Sequence, residues 1–292
     1  MINEATKHVV VSGCSFTISD GIKVGNNNKS WAWHLKDVLD KKISFHNVGS
    51  SGAGNYIISA ACIETVNSLL KNGFRPEEIT VIVQWSGLFR PSIYTNKNVK
   101  RKNIFFESNS KYLSNLKESN SEYQFCDTAG QLNNKDNFWS TYLLDYFSLP
   151  SAFTNTLEMI LRLQWFLKSN KINYLMFNAW DIFTAKKLKK TKFGSDMIIN
   201  ENQFGDTIYI NIDNFNLYEL SPYSMSLWEM IDFNDFWFFK NENVKFGGML
   251  QWVQNNINQT KWYVNPKNDF HIPSETSIYF YEQVISKLTY KK

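Results

Sequence analysis

The sequence predicts an α/β domain of three layers: a parallel sheet of mainly five strands, helices on both faces, and two irregular insertions. Two observations carry that prediction. His8 to Ser12 (HVVVS) and Thr80 to Trp85 (TVIVQW) are continuously apolar and β-branched, as strands buried on both faces are. Segments of helical character alternate with such strands along the chain, the order that builds a parallel sheet. Length supports a sizeable core: 292 residues, 43% hydrophobic and 20% charged, fall in the ordinary globular range.

Each element has its own signal. The first strand, 8–12, is ended by Gly13-Cys14-Ser15, and a polar loop rich in Gly and Asn comes next. Ser30 then reads as the N-cap of a helix over 31–39. A second strand, 43–48, runs into Gly49-Ser50-Ser51-Gly52-Ala53-Gly54, and a helix over 55–70 stops at Asn72-Gly73. The third strand is 80–85. From 89 to 150 the chain is polar, Asn- and Ser-rich and without period, too long for a plain loop, and reads as an insertion with structure of its own. A helix over 154–168 and a strand over 172–178 restore the alternation. A second irregular region covers 181–232; a fifth strand at 236–239, a helix over 248–255 and a last helix after Pro273 complete the pattern. Parallel sheets bind ligands at the carboxyl ends of their strands, so the loops after the first three strands and the loop before the last helix converge on one edge.

Composition narrows the function classes. Net charge is only +4, and the one dense basic run, Lys186, Lys187, Lys189, Lys190 and Lys192, lies in the second insertion and reads as a solvated face. Neither a nucleic-acid partner nor a membrane partner is expected. Cys14, Cys62 and Cys126 fit no zinc or disulfide pattern, which points to a reducing compartment. The polar stretch 1–7 has no signal layout and no apolar run approaches a membrane span, so a cytoplasmic protein, or one released without a cleaved signal, is expected. Aromatic residues make up 16% of the chain; most are read as packing, with some available to line a groove against sugar faces.

Three constellations could carry chemistry. Ser15 comes directly after a buried strand, where its hydroxyl can stand at the sheet edge, although most serines in such a place only cap or turn the chain. Asp269-Phe270-His271 precedes the last helix; an Asp two residues before a His can hold the imidazole by its Nδ1 proton and leave Nε2 as a base. His8, His34 and His46 lie within or beside regular elements and read as structural. Gly49, Gly52 and Gly54 let backbone N–H groups point at a ligand, as an oxyanion hole requires, or merely make a tight turn. Their spacing, Gly-x-x-Gly-x-Gly after the second strand, does not fit the dinucleotide fingerprint, so a nucleotide-binding α/β protein is the disfavoured alternative.

The order of these blocks resembles the SGNH (GDSL-like) hydrolase family, in particular its divergent, phage- or surface-glycan-associated members that begin Gly-Cys-Ser-Phe. Gly13-Cys14-Ser15-Phe16 is similar to the first block, Asn47-Val48-Gly49-Ser50-Ser51-Gly52 to the second, and Asp269 with His271 to the last. The resemblance implies a flavodoxin-like fold, Ser15 as nucleophile, His271 oriented by Asp269 as base, and a Gly52 backbone N–H in the oxyanion hole. Three departures stand out, one of them the spacing of the last block, Asp-x-His where the family has Asp-x-x-His. Cys14 replaces the family's Asp, and the third block, Gln84-Trp85-Ser86-Gly87, lacks the oxyanion asparagine, leaving Ser86 or Gln84 to substitute. The activity implied is that of a serine esterase, which removes an O-acyl group, O-acetyl by preference, from a carbohydrate without metal or organic cofactor. Arg90, Trp85 and Asn55 are the candidate substrate contacts, Arg90 for an acidic group. The rival is a catalytically weak or inactive member that binds glycans or is structural. The resemblance adds a virion-associated location to the cytoplasmic one.

Overall fold

The computed structural model describes residues 1–18, 29–50, 52–88, 90, 149–183, 221–264 and 271–290, with the backbone of 92–99, 107–108 and 121–125. The main sheet is built from β1 (His8–Ser12), β2 (Ser44–Asn47), β3 (Ile79–Trp85), β7 (Asn173–Asn178) and β8 (Phe236–Trp237), all parallel. A short antiparallel strand, β5 (Glu107–Ser108), closes the edge beside β2, giving the order β5-β2-β1-β3-β7-β8. Every residue of β1 and β3 is buried, which is why both read as unbroken apolar runs.

Pairing assigns the two faces. In register Val10 meets His46 and Val81, and Val83 meets Met176, so His8, Val10, Ser12, Val81, Val83 and Trp85 share one face. Against it pack α3 (Asn55–Lys71) and α4 (Leu149–Ser169), with the Ser12 hydroxyl donating to the Ile58 carbonyl of α3 at 2.9 Å. Gln84 and Phe177 belong to the other face, covered by α2 (Trp31–Val38), α6 (Met249–Asn256) and α7 (Ser274–Phe280). There the Phe177 ring meets Trp31 at 5.2 Å and Phe280 at 5.7 Å between centroids. Helices on both faces of a five-stranded parallel sheet make the three-layer sandwich that the strand alternation predicts, in a flavodoxin-like arrangement.

Differences from expectation have local causes. Helix α4 starts at Leu149 rather than 154, because Pro150 stands in its first turn, where a missing N–H costs nothing. The fifth strand stops at Trp237. The chain then folds back as an antiparallel pair, β9 (Phe239–Asn241) with β10 (Val244–Gly247), its turn held by the Asn243 N–H donating to Asn241 Oδ1 at 2.8 Å. The first insertion contributes β4 (Ser92–Val99), paired antiparallel with β6 (Ser121–Phe125), besides β5. In the second, α5 (Pro222–Met230) is helical, capped by the Ser221 hydroxyl accepting from the Ser224 N–H. The lysine run at 186–192 and Cys126 lie outside the described residues.

Much of the aromatic content is core. Phe183, Trp228, Phe233, Phe236, Phe238 and Phe246 interlock beside β8, with the Phe236 and Phe238 rings stacked at 4.5 Å. Among the described residues, no helix is long and apolar enough to cross a membrane.

Candidate active site

Strand order reverses at β1, which has β2 on one side and β3 on the other, so the crevice for a ligand opens where the loops after β1 and β3 part. Ser15 stands there, in the first turn of α1 (Ser15–Ile18). Gly13 permits the turn: a Cβ at that position would lie 2.0 Å from Thr17 Oγ1 and 3.1 Å from the Gln84 Cβ. Thr17 then ties the turn to β3, its hydroxyl donating to Gln84 Oε1 at 2.8 Å, while Gln84 Nε2 donates to Met249 Sδ of α6 at 3.5 Å. The Thr17 carbonyl accepts from Ser30 Oγ at 2.5 Å and Asn47 Nδ2 at 3.3 Å, and the Ile18 carbonyl from Trp33 Nε1 at 3.2 Å. Ser30 thus occupies the N-cap position of α2 without capping it; its hydroxyl is spent on the serine turn instead.

Ser15 and His271 line the same small pocket, with Phe16, Ser30, Met249 and Ile272 among its other walls. The His271 imidazole lies against Phe16, ring centroids 5.3 Å apart. Its backbone is fixed from both sides: the His271 carbonyl accepts from Val264 N–H at 2.9 Å, and Pro273 opens α7 by accepting from Thr276 and Ser277. Among the described contacts no hydrogen bond joins Ser15 to His271; such bonds are commonly long or absent until substrate binds. Asp269, the expected partner of the imidazole, lies outside the described residues.

The turn after β2 is locked to both neighbours. Val48 N–H donates to the Val11 carbonyl at 2.8 Å, and Ser50 N–H to the Gly13 carbonyl at 3.0 Å, so the glycine turn and the serine turn share one hydrogen-bonded seam. Gly52 has φ of 69°, the left-handed region that favours glycine. A Cβ on Gly54 would fall 1.9 Å from the Arg90 carbonyl oxygen, so the chain after β3 crosses directly over this turn.

After β3, two expected substrate contacts prove to be structural. Asn55 is buried and clasps the Ser86 peptide, accepting from its N–H at 2.8 Å and donating to its carbonyl at 3.0 Å, with Thr156 Oγ1 as a second acceptor at 3.2 Å. Trp85 is fully enclosed on the α3/α4 face, because strand alternation turns it away from the crevice. Gln84, weighed as an oxyanion donor, instead holds Thr17 and Met249. Ser86 is fully buried, and among the described residues its hydroxyl has no hydrogen-bond partner. Arg90 sets its guanidinium carbon 5.6 Å over the Trp180 ring, which in turn meets the Phe16 ring at 5.6 Å. Trp180 and Thr17 were not among the expected site residues. Trp180 lies just past the end of β7 at the carboxyl edge of the sheet, the signal that singled out Ser15.

The remaining histidines are structural, as expected. His8 Nδ1 and His46 Nε2 share a hydrogen bond of 3.0 Å between adjacent strands, and burial pulls the His46 imidazole down to about 3, the neighbouring His8 adding to it. His34 Nε2 donates to the Ser274 carbonyl at 3.3 Å, with burial lowering its basicity. Cys14 and Cys62 are buried free thiols, and burial pushes the Cys62 thiol up to about 12. Compared with known proteins, the chain matches no family model and no curated sequence.

Proposed function

We propose that the protein is a serine acylhydrolase of the SGNH kind, removing an O-acyl group, O-acetyl by preference, from a carbohydrate. The observation that carries this reading is the pocket lined by Ser15, at the carboxyl end of β1, together with His271, just before α7. His271 takes the proton of Ser15 Oγ as that oxygen attacks the ester carbonyl; the alkoxide of the sugar leaves with that proton, and water then releases the acyl group by the same route. Backbone N–H groups of Ser15 and Gly52 hold the oxyanion, and the family resemblance gives Asp269 the orienting role.

The enclosed Ser86 favours a second reading. If it cannot reach the oxyanion, the third donor is absent, and loss of one donor typically costs about 10²–10³ in rate. A glycan-binding protein with this fold and little catalysis would then result. Hydrolysis of p-nitrophenyl acetate and a panel of acetylated sugars, wild type beside Ser15→Ala and His271→Ala, separates the two. Loss of about 10³-fold or more in both variants, with an unchanged circular dichroism spectrum, is the expected result. Rates equal in all three proteins would favour the binding protein.

A further inference from the structure

Arg90 is held in an unusual way for a surface arginine. Its backbone carbonyl is pressed against Gly54, so the residue cannot shift without moving the glycine turn. The guanidinium lies over Trp180, and Gly87 keeps that indole close: a Cβ there would meet Trp180 Cζ2 at 2.8 Å. Nη1 is buried, and among the described residues it has no hydrogen-bond partner; no described carboxylate stands within ion-pair distance of Arg90. A guanidinium N–H withdrawn from water without an acceptor is costly, and an anionic oxygen arriving there would relieve that cost. From Arg90 a continuous row of rings, Trp180 and then Phe16, leads to His271.

We propose that Arg90, seated over Trp180, forms an anion subsite beside the Ser15 pocket that takes a carboxylate of the substrate, so that the ester hydrolysed belongs to an acidic glycan. This deepens the esterase reading and rests on it for the chemistry, though the binding half stands alone. A planar guanidinium matches a carboxylate through two parallel N–H bonds, and one such group balances one negative charge.

Two measurements test it. Calorimetric titration of the Ser15→Ala protein with trigalacturonate and with xylotriose reads binding without turnover. Trigalacturonate should bind roughly tenfold to a hundredfold more tightly, the range for a hydrogen-bonded charged pair. Adding Arg90→Gln should remove the difference, and Arg90→Lys, which keeps charge but not the planar fork, should keep part of it. Equal affinity for the two sugars, or a preference that survives Arg90→Gln in a folded protein, overturns the subsite. The second measurement compares kcat/KM on acetylated oligogalacturonides and acetylated xylo-oligosaccharides. The acidic-to-neutral ratio should exceed about ten in the wild type, through KM, and fall towards one with Arg90→Gln. Ser15-dependent hydrolysis with a ratio near one leaves the esterase and removes the subsite. Arg90-dependent binding of the acid without any hydrolysis leaves the subsite and removes the esterase.

Discussion

The Arg90 carbonyl oxygen fills the space that a Cβ at Gly54 would need, 1.9 Å away, and it belongs to the backbone, which cannot swing aside. Gly54→Ala should therefore destabilise the protein by about 1–3 kcal/mol in urea unfolding and lower any Ser15-dependent activity with it, since the clash spreads into the loops that carry Gly52 and Arg90. Asn55 offers a different case. Asn55→Ala leaves the buried N–H and carbonyl of Ser86 unpaired, at a cost of about 1–3 kcal/mol, whereas Gly54→Ala acts through a steric clash and removes no hydrogen-bonding group. A retained midpoint for Asn55→Ala in the same titration would show that water replaces the clamp. Ser15 was legible in the sequence because an apolar strand running into glycine announces a sheet edge. Asn55 and Trp85 were not, because adjacency to that edge does not say whether a side chain faces the crevice or the helices. Strand register decides it, and register is fixed by pairings between residues far apart in the chain.

Between elements, β1 and β2 are joined by more than their ladder. His8 and His46 bond to one another on the α3 face, with Phe74 packed 4.0 Å from the His8 ring; Lys7 and Glu78 are the charged groups nearest His8, the latter ion-paired to Lys7 at 2.6 Å. Burial lowers both imidazoles below their ordinary value, most strongly His46. The unfolded chain then binds more protons than the folded one once pH falls below about 6.5, so stability is full above that value and drains away as acid approaches 3. Urea unfolding between pH 7 and 4 should show a loss on the order of a few kcal/mol, and the His46 ring resonances should stay at their neutral positions across that range. A His46 titration near 6.5 in the folded protein would contradict it. The helix α4 was legible only in part. Its existence could be read from its apolar period, but its start was hidden by Pro150, which breaks a helix in the middle and suits one at the beginning.

Across the whole molecule, the strand order matters more than any single strand. Placing β1 between β2 and β3 brings three successive loops to one crevice, and the seam from Val11 to Val48 and from Gly13 to Ser50 makes two of them a single unit. The sequence announces the strands but not their order, which rests on the helices crossing to opposite faces. The large aromatic fraction was likewise ambiguous in the sequence; side by side in space, the described rings between 183 and 246 extend the one hydrophobic core beside β8. Away from the crevice, Ile2, just ahead of the amino end of β1, donates its N–H to the Thr289 carbonyl at 2.8 Å, so the first and last described stretches of chain touch. A circularly permuted version of the described domain is therefore open to this fold: a short linker joining residues 1 and 290, with the chain cut at the exposed Glu242 between β9 and β10, would leave the serine turn, the glycine turn and the His271 segment in their present places around the crevice.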